Sequence, residues 1–184
     1  MDRQQALDLL ESHMRAENLR KHCLATEAVM RALAERLDEP VDMWGIAGLL
    51  HDLDYEETAD NPSEHGLKTA VILADSDLPA EVINAIKAHN AEVLGLERRS
   101  KLDFALTCAE SITGMVIATA LVYPDKRLKS VKPKSILKRM KQKDFARRVN
   151  REQIGLCEEI GVDLADFAEL SLRAMQGISD ELGL

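Results

Sequence analysis

The sequence predicts an all-α fold, a helical bundle with a C-terminal helical extension. The 184 residues include only nine Gly and five Pro, so few positions break a helix. Hydrophobic residues make up 46% of the chain but aromatic residues only 3%, so the core must consist mainly of Leu, Ile, Val, Ala and Met, a palette that favours helices. Apolar residues recur three and four positions apart, and no segment shows the alternation of a strand.

The first part of the chain is predicted to form five helices. They cover residues 4–16, 19–37, 42–51, 63–75 and 79–89, with residues 52–62 as a polar loop. Asp42 is expected to cap the third helix, Ser63 to begin the fourth and Pro79 to take the first helical position of the fifth. These boundaries place His51 at the end of an apolar helix.

Four further helices are predicted after residue 90. The longest, about residues 100–122, is apolar on most sides and is expected to be the central buried helix. Shorter helices are expected over residues 133–140, 150–161 and 163–178. The composition changes after Pro124, which favours a helical core over residues 1–125 and a segment over residues 126–184 that packs back on it.

Charge is distributed unevenly along the chain, whose net charge is −8. Residues 126–151 hold 12 of the 24 Lys and Arg residues and a single acid, Asp144, a local charge of +11, so the rest of the chain carries −19. An acidic protein is a poor general binder of nucleic acid, and the basic segment lacks the interleaved aromatic residues that stack on bases. The basic segment can instead attract a phosphorylated small molecule, or form a solvated helix face.

Cys23, Cys108 and Cys157 are an odd, scattered set without a CxxC pair, which predicts free thiols and a reducing compartment. The longest apolar run, residues 115–123, is shorter than the roughly 20 residues of a membrane span. A cytoplasmic location without a membrane partner is therefore expected. The apolar C-terminal helices allow a homodimer without requiring one.

The pattern with the most chemical content is the pair His51-Asp52, around which other metal-binding side chains are spaced. His22 precedes the pair, and His65, His89 and Glu110 follow it, on separate predicted helices. Imidazole and carboxylate together suit one or two divalent ions of Fe, Mn, Zn, Ni or Co. Glu110 lies within the most apolar helix, where an unpaired carboxylate is costly. His13, on a peripheral helix, is expected to be structural.

The motif Leu49-Leu50-His51-Asp52, with His22 before it and Ala109-Glu110-Ser111-Ile112-Thr113-Gly114 after it, resembles the HD superfamily of metal-dependent phosphohydrolases. The order His, HisAsp, His, His, acid is similar to that of its two-metal members. The resemblance is clearest over residues 17–125. It implies a helical bundle with a central metal site, in which Asp52 bridges two divalent cations.

The resemblance also implies the ligand sets. His22, His51, Asp52 and Glu110 are expected to bind a first cation, and His65 and His89 to complete a second site with Asp52. The family's last ligand is usually Asp where this chain has Glu110, so Asp103, two helical turns earlier, is a possible substitute.

The catalytic roles expected for this chain are those of a hydrolase with a metal-activated water. Asp52 or Asp54 is expected to orient the attacking water. Lys68 is expected to supply the positive charge of a lysine that many family members carry shortly after HisAsp, and to bind the phosphate as a point charge.

The predicted function is hydrolysis of a small phosphorylated molecule, with a nucleotide as the leading candidate. Two alternatives remain open from the sequence. One is a di-iron oxygenase on the same scaffold, and the other is a regulatory or metal-binding domain without enzymatic activity.

Overall fold

The computed structural model describes all 184 residues and contains helices but no strands. In chain order the α-helices are α1 (Arg3–His13), α2 (Glu17–Leu37), α3 (Val41–Leu50), α4 (Tyr55–Thr58), α5 (Leu67–Ile72), α6 (Ala80–Ala88), α7 (Ala91–Leu94), α8 (Lys101–Leu121), α9 (Pro133–Met140), α10 (Arg151–Gly155), α11 (Leu164–Gly177) and α12 (Ser179–Leu182). Three short 3-10 turns lie at Pro62–Glu64, Leu128–Ser130 and Leu156–Ile160. The all-α prediction is confirmed.

The centre of the bundle consists of α2, α3 and α8, against which most other helices pack. Helix α3 is buried from Trp44 to Leu50 because its sequence is apolar on every side. Gly48 lets α3 approach α2 closely, since a Cβ on Gly48 would lie 2.9 Å from Met30 Cγ and 3.0 Å from Glu27 N. This close approach brings the end of α3 to the side of α2 that carries His22.

Helix α8 is the central helix that the sequence predicts, with Ser100 and Asp103 forming a capping box at its start. By length and composition alone this helix could cross a membrane. The sequence did not indicate this, because its longest uninterrupted apolar run, residues 115–123, is shorter than a membrane span. In the fold, 67% of its apolar window is buried. The core helix of a globular bundle can be equally long and apolar, and α8 is such a core helix.

The helices after residue 125 pack on the same core. Buried side chains from this part of the chain, such as Ile136, Cys157, Phe167 and Met175, join one hydrophobic cluster with those of α2, α3 and α8. Asn150 and Asp163 cap α10 and α11 through their side chains.

Several predicted helix boundaries are wrong. Helix α3 begins at Val41, and Asp42 does not cap it but pairs with Arg31 at 3.0 Å. The helix expected over residues 63–75 is a 3-10 turn followed by the shorter α5. The helix is interrupted at Gly66, whose φ of +83° would strain any residue with a Cβ.

Candidate metal centre

The pair His51-Asp52 lies directly after α3, inside the bundle. His51 is fully buried, and Asp52 nearly so. The ring centroids of His22 and His51 are 5.2 Å apart, and those of His51 and His89 are 5.3 Å apart. Imidazoles from separate parts of the chain therefore meet at the HisAsp pair, which is the juxtaposition expected from the sequence.

Asp52 is the centre around which four imidazoles are arranged. Its Oδ1 lies 3.4 Å from His51 Nε2, 3.3 Å from His65 Nε2 and 3.6 Å from His89 Nε2. Its Oδ2 lies 3.7 Å from His22 Nε2. Burial opposes ionisation, but His51, His65 and His89 outweigh it and hold the pKa of Asp52 well below its usual range. Asp52 is thus a carboxylate.

The opposite nitrogen of each ring has a hydrogen-bond partner elsewhere, which fixes the direction of the ring. His22 Nδ1 lies 3.1 Å from the hydroxyl of Thr113, whose own proton goes to the Glu110 carbonyl. His51 Nδ1 donates to the Gly48 carbonyl at 2.8 Å.

The other two rings follow the same rule. His65 Nδ1 lies 2.7 Å from Asp54 Oδ1, and His89 Nδ1 donates to the Ile86 carbonyl. All four Nε2 atoms therefore face Asp52, the arrangement in which imidazoles bind a metal while a partner fixes the far nitrogen.

The donor set fits a cation. His51 Nε2 is buried without a hydrogen-bond partner, and burial above all lowers the pKa of His51 to about 3, so this nitrogen carries a lone pair that no hydrogen bond uses. His65 Nε2 and His89 Nε2 lie 2.9 Å apart. Burial opposes protonation, but the hydrogen bonds to Asp52 and Asp54 outweigh it and raise the pKa of His65 to about 10, so a cation bound by both Nε2 atoms would take the place of a proton.

The donors form two groups that share Asp52. Ligand atoms of His22, His51 and Asp52 lie within 4.8 Å of one another, and so do those of Asp52, His65 and His89. Because Asp52 belongs to both groups, its carboxylate is placed where it can bridge two cations.

Glu110 faces the same cleft from the middle of α8 but belongs to neither group. Its Oε1 accepts a hydrogen bond from Ser111 Oγ at 2.8 Å, and burial raises the pKa of Glu110. Asp103, the possible substitute, lies elsewhere: its Oδ2 accepts hydrogen bonds from the backbone of Arg99 and Ser100 at the start of α8. The structure therefore excludes Asp103 from the cleft and leaves Glu110 on its wall.

Asp54 lies behind His65 rather than in the cleft. It is fully buried, and besides His65 its carboxylate accepts hydrogen bonds from the backbone N–H groups of Gly66 and Thr69, at 2.8 and 2.9 Å. Burial opposes ionisation, but these hydrogen bonds outweigh it and lower the pKa of Asp54. Asp54 was expected to orient a water, but its carboxylate contacts His65 and two backbone N–H groups and does not line the cleft.

Lys68 also lies outside the cleft. It is on the surface of α5, two residues after Gly66, and its Nζ pairs with Glu64 at 2.9 Å. The predicted helix over residues 63–75 would have placed Lys68 one turn from His65 on a shared face, and the break at Gly66 removes that relation.

An open cleft of about 390 Å³ leads to the metal centre. Four of its lining residues were not singled out from the sequence: Leu19, Tyr55, Asn90 and Gln153. Asn90 directly follows His89, and its amide donates to the carbonyls of Pro62 and His65, which ties the two histidine segments together. Tyr55 and Asn90 could have been found as sequence neighbours of ligands, whereas nothing in the sequence indicates Gln153.

Comparison with known proteins gives one match. The family model described as HD domain matches residues 19–166, which extends the resemblance past residue 125 into the C-terminal helices. Searches of curated proteins and of solved structures find no match to this chain. The HisAsp pair, the histidines that converge on it and the family match over most of the chain lead to one conclusion: this protein belongs to the HD domain family.

Proposed function

We propose that the protein is a metal-dependent phosphohydrolase that acts on a small phosphorylated molecule. The convergence of four Nε2 atoms on one carboxylate carries the proposal, because this donor set suits divalent transition metals and the HD family is generally one of metal-dependent hydrolases. We propose two cations, with Mn, Fe, Co, Ni and Zn as the candidates.

The proposed ligand sets follow the two donor groups. His22, His51 and Asp52 hold one cation, with Glu110 as a further ligand from the cleft wall, and Asp52, His65 and His89 hold the other. When bound, such cations supply a water of lowered pKa, about 7, and screen the charge of the phosphoryl oxygens.

The remaining residues keep this set in place. Asp54 and the carbonyls of Gly48 and Ile86 fix the rings of His65, His51 and His89. The substrate enters from the open side of the cleft, where Tyr55 and Gln153 lie on the walls.

A nucleotide is the finer proposal for the substrate. Tyr55 is 42% exposed at the rim of the cleft, and its ring forms a T-shaped pair with His65, with centroids 5.4 Å apart, so part of the side chain is accessible to a base. Stacking of a base on an aromatic side chain contributes about 1–3 kcal/mol. Tyr55→Leu is therefore expected to raise the KM for a nucleoside monophosphate at least about fivefold, without an equal effect on ribose 5-phosphate.

The proposed activity is tested by phosphate release from a panel of nucleotides and phosphomonoesters, with protein loaded separately with each metal. We expect metal-dependent release that His51→Gln abolishes. His13→Gln is the matched control, because His13 lies at the exposed end of α1, away from the cleft. Bound metal without release from any substrate would refute the hydrolase. In that case a di-iron absorption band would indicate an oxygenase, and its absence a binding or regulatory domain.

A further inference from the structure

A second, smaller cavity opens beside the metal cleft. It measures about 190 Å³ and shares three wall residues with the cleft: His22, Glu110 and Gln153. A molecule bound at the metal centre can therefore extend into it. Its remaining wall comes from α8 and from the segment between α9 and α10.

The positively charged residue Arg148 lines this cavity. Its guanidinium has no carboxylate within 4.0 Å and makes no hydrogen bond within the chain. The neighbouring arginines differ, because Arg147 pairs with Asp144 at 2.9 Å and Arg151 donates to backbone carbonyls. Of the basic residues between 126 and 151, only Arg148 lines either cavity at the metal centre.

The backbone that carries Arg148 is held firmly in place. Arg151 donates to the carbonyls of Met140, Gln142 and Val149, at 2.9, 3.0 and 3.1 Å, and so closes the turn between α9 and α10. Val149 packs directly on Gly114 of α8, since a Cβ on Gly114 would lie 3.1 Å from Val149 Cγ2. Arg148 is thus presented by a fixed turn.

The other walls of the cavity are polar. Asn150 uses its side-chain oxygen to cap α10, but its amide nitrogen makes no hydrogen bond within the chain. Ser111 Oγ lies 2.8 Å from Glu110 Oε1 and 3.0 Å from Gln153 Oε1. The cavity thus combines a free guanidinium and a free amide donor, with Val149 as its one apolar side chain.

We propose that the substrate carries a second anionic group, a phosphate or a carboxylate, which Arg148 binds in this cavity while the reacting phosphoryl group lies at the metal centre. The inference rests on the proposed function and deepens it. A guanidinium binds either anion through two parallel hydrogen bonds. In a nucleotide, the second group is a further phosphate.

The test uses three probes on one carbon chain, namely propyl phosphate, 3-phosphonooxypropanoate and propane-1,3-diol bisphosphate. Binding is measured by calorimetry on full-length, manganese-loaded protein freed of unbound metal, and hydrolysis is assayed in parallel. We expect at least one of the two probes with a second anionic group to bind about tenfold more tightly than propyl phosphate, the gain expected for a charged hydrogen bond. The probe that gains identifies the second group as a carboxylate or a phosphate.

The variants are Arg148→Ala and, as the matched control, Arg147→Ala. The tighter binding of the probe with a second anionic group is expected to disappear in Arg148→Ala and to persist in Arg147→Ala. The metal content of both variants is expected to be unchanged. Equal binding of all three probes, failure of every probe to bind, or a preference that survives Arg148→Ala would overturn the inference. If the Arg148-dependent preference appears but no probe and no panel substrate is hydrolysed, the second anion site stands and the hydrolase proposal alone fails.

Discussion

Asp54→Asn tests whether the residue behind His65 controls the metal centre. Asparagine keeps the size of the side chain but replaces one acceptor oxygen with an NH₂ group. At Asp54 all three partners are N–H groups, from His65, Gly66 and Thr69, at 2.7, 2.8 and 2.9 Å. Either orientation of the amide therefore sets an NH₂ group against an N–H donor, and His65 loses a negatively charged partner.

The magnitude follows from this geometry. Loss of a partner that orients a metal-binding histidine costs about 10–100-fold in metal affinity. The broken charged hydrogen bond costs about 1.5–3 kcal/mol of folding stability. We expect the loss of affinity to fall on the cation held by Asp52, His65 and His89, because Asp54 contacts none of the other ligands.

The assay is metal titration by calorimetry with elemental analysis of the dialysed protein, and thermal unfolding reports on the fold. Asp60→Asn, an exposed site in the loop after α4, is the matched control and is expected to behave as wild type. A folded Asp54→Asn variant that binds both cations with wild-type affinity would show that Asp54 does not hold His65 for metal binding.

Three further variants test other parts of the site. His51→Gln removes a fully buried side chain that we propose as a ligand, so elemental analysis is expected to find at least one cation fewer per chain; undiminished metal content would contradict its assignment. Gly66→Ala forces a Cβ into a backbone with φ of +83° and within 3.0 Å of the Ile86 carbonyl, so chemical denaturation is expected to show a loss of at least about 1–2 kcal/mol, and an unchanged midpoint would refute the strain. Lys68→Ala removes only a surface ion pair with Glu64, so steady-state kinetics are expected to give a KM within about twofold of wild type, and a large rise would restore Lys68 to phosphate binding.

The fold was predictable where periodicity and composition decide it. The apolar spacing along α2 and α8 indicates both helices, and the interior position of α8 follows from its lack of a polar face. The break at Gly66 was not predicted, because a glycine inside a helical pattern is compatible with both a helix and a turn. Here the hydrogen bond from Gly66 N to the buried Asp54 favours the turn.

By itself, the sequence determined the all-α class and the residue types that converge on Asp52, because helical periodicity and the order of metal-binding side chains are properties of the chain. Only the tertiary structure decided where the side chains of Asp54, Lys68, Asp103 and Arg148 lie and what they contact. The partners of Asp54 lie 11 to 15 residues further along the chain. The partners of Lys68 and Asp103 lie within four residues, but they depend on where α5 and α8 begin. The sequence looks the same whether a charged residue lines a cleft or lies behind it, and only packing distinguishes these two positions.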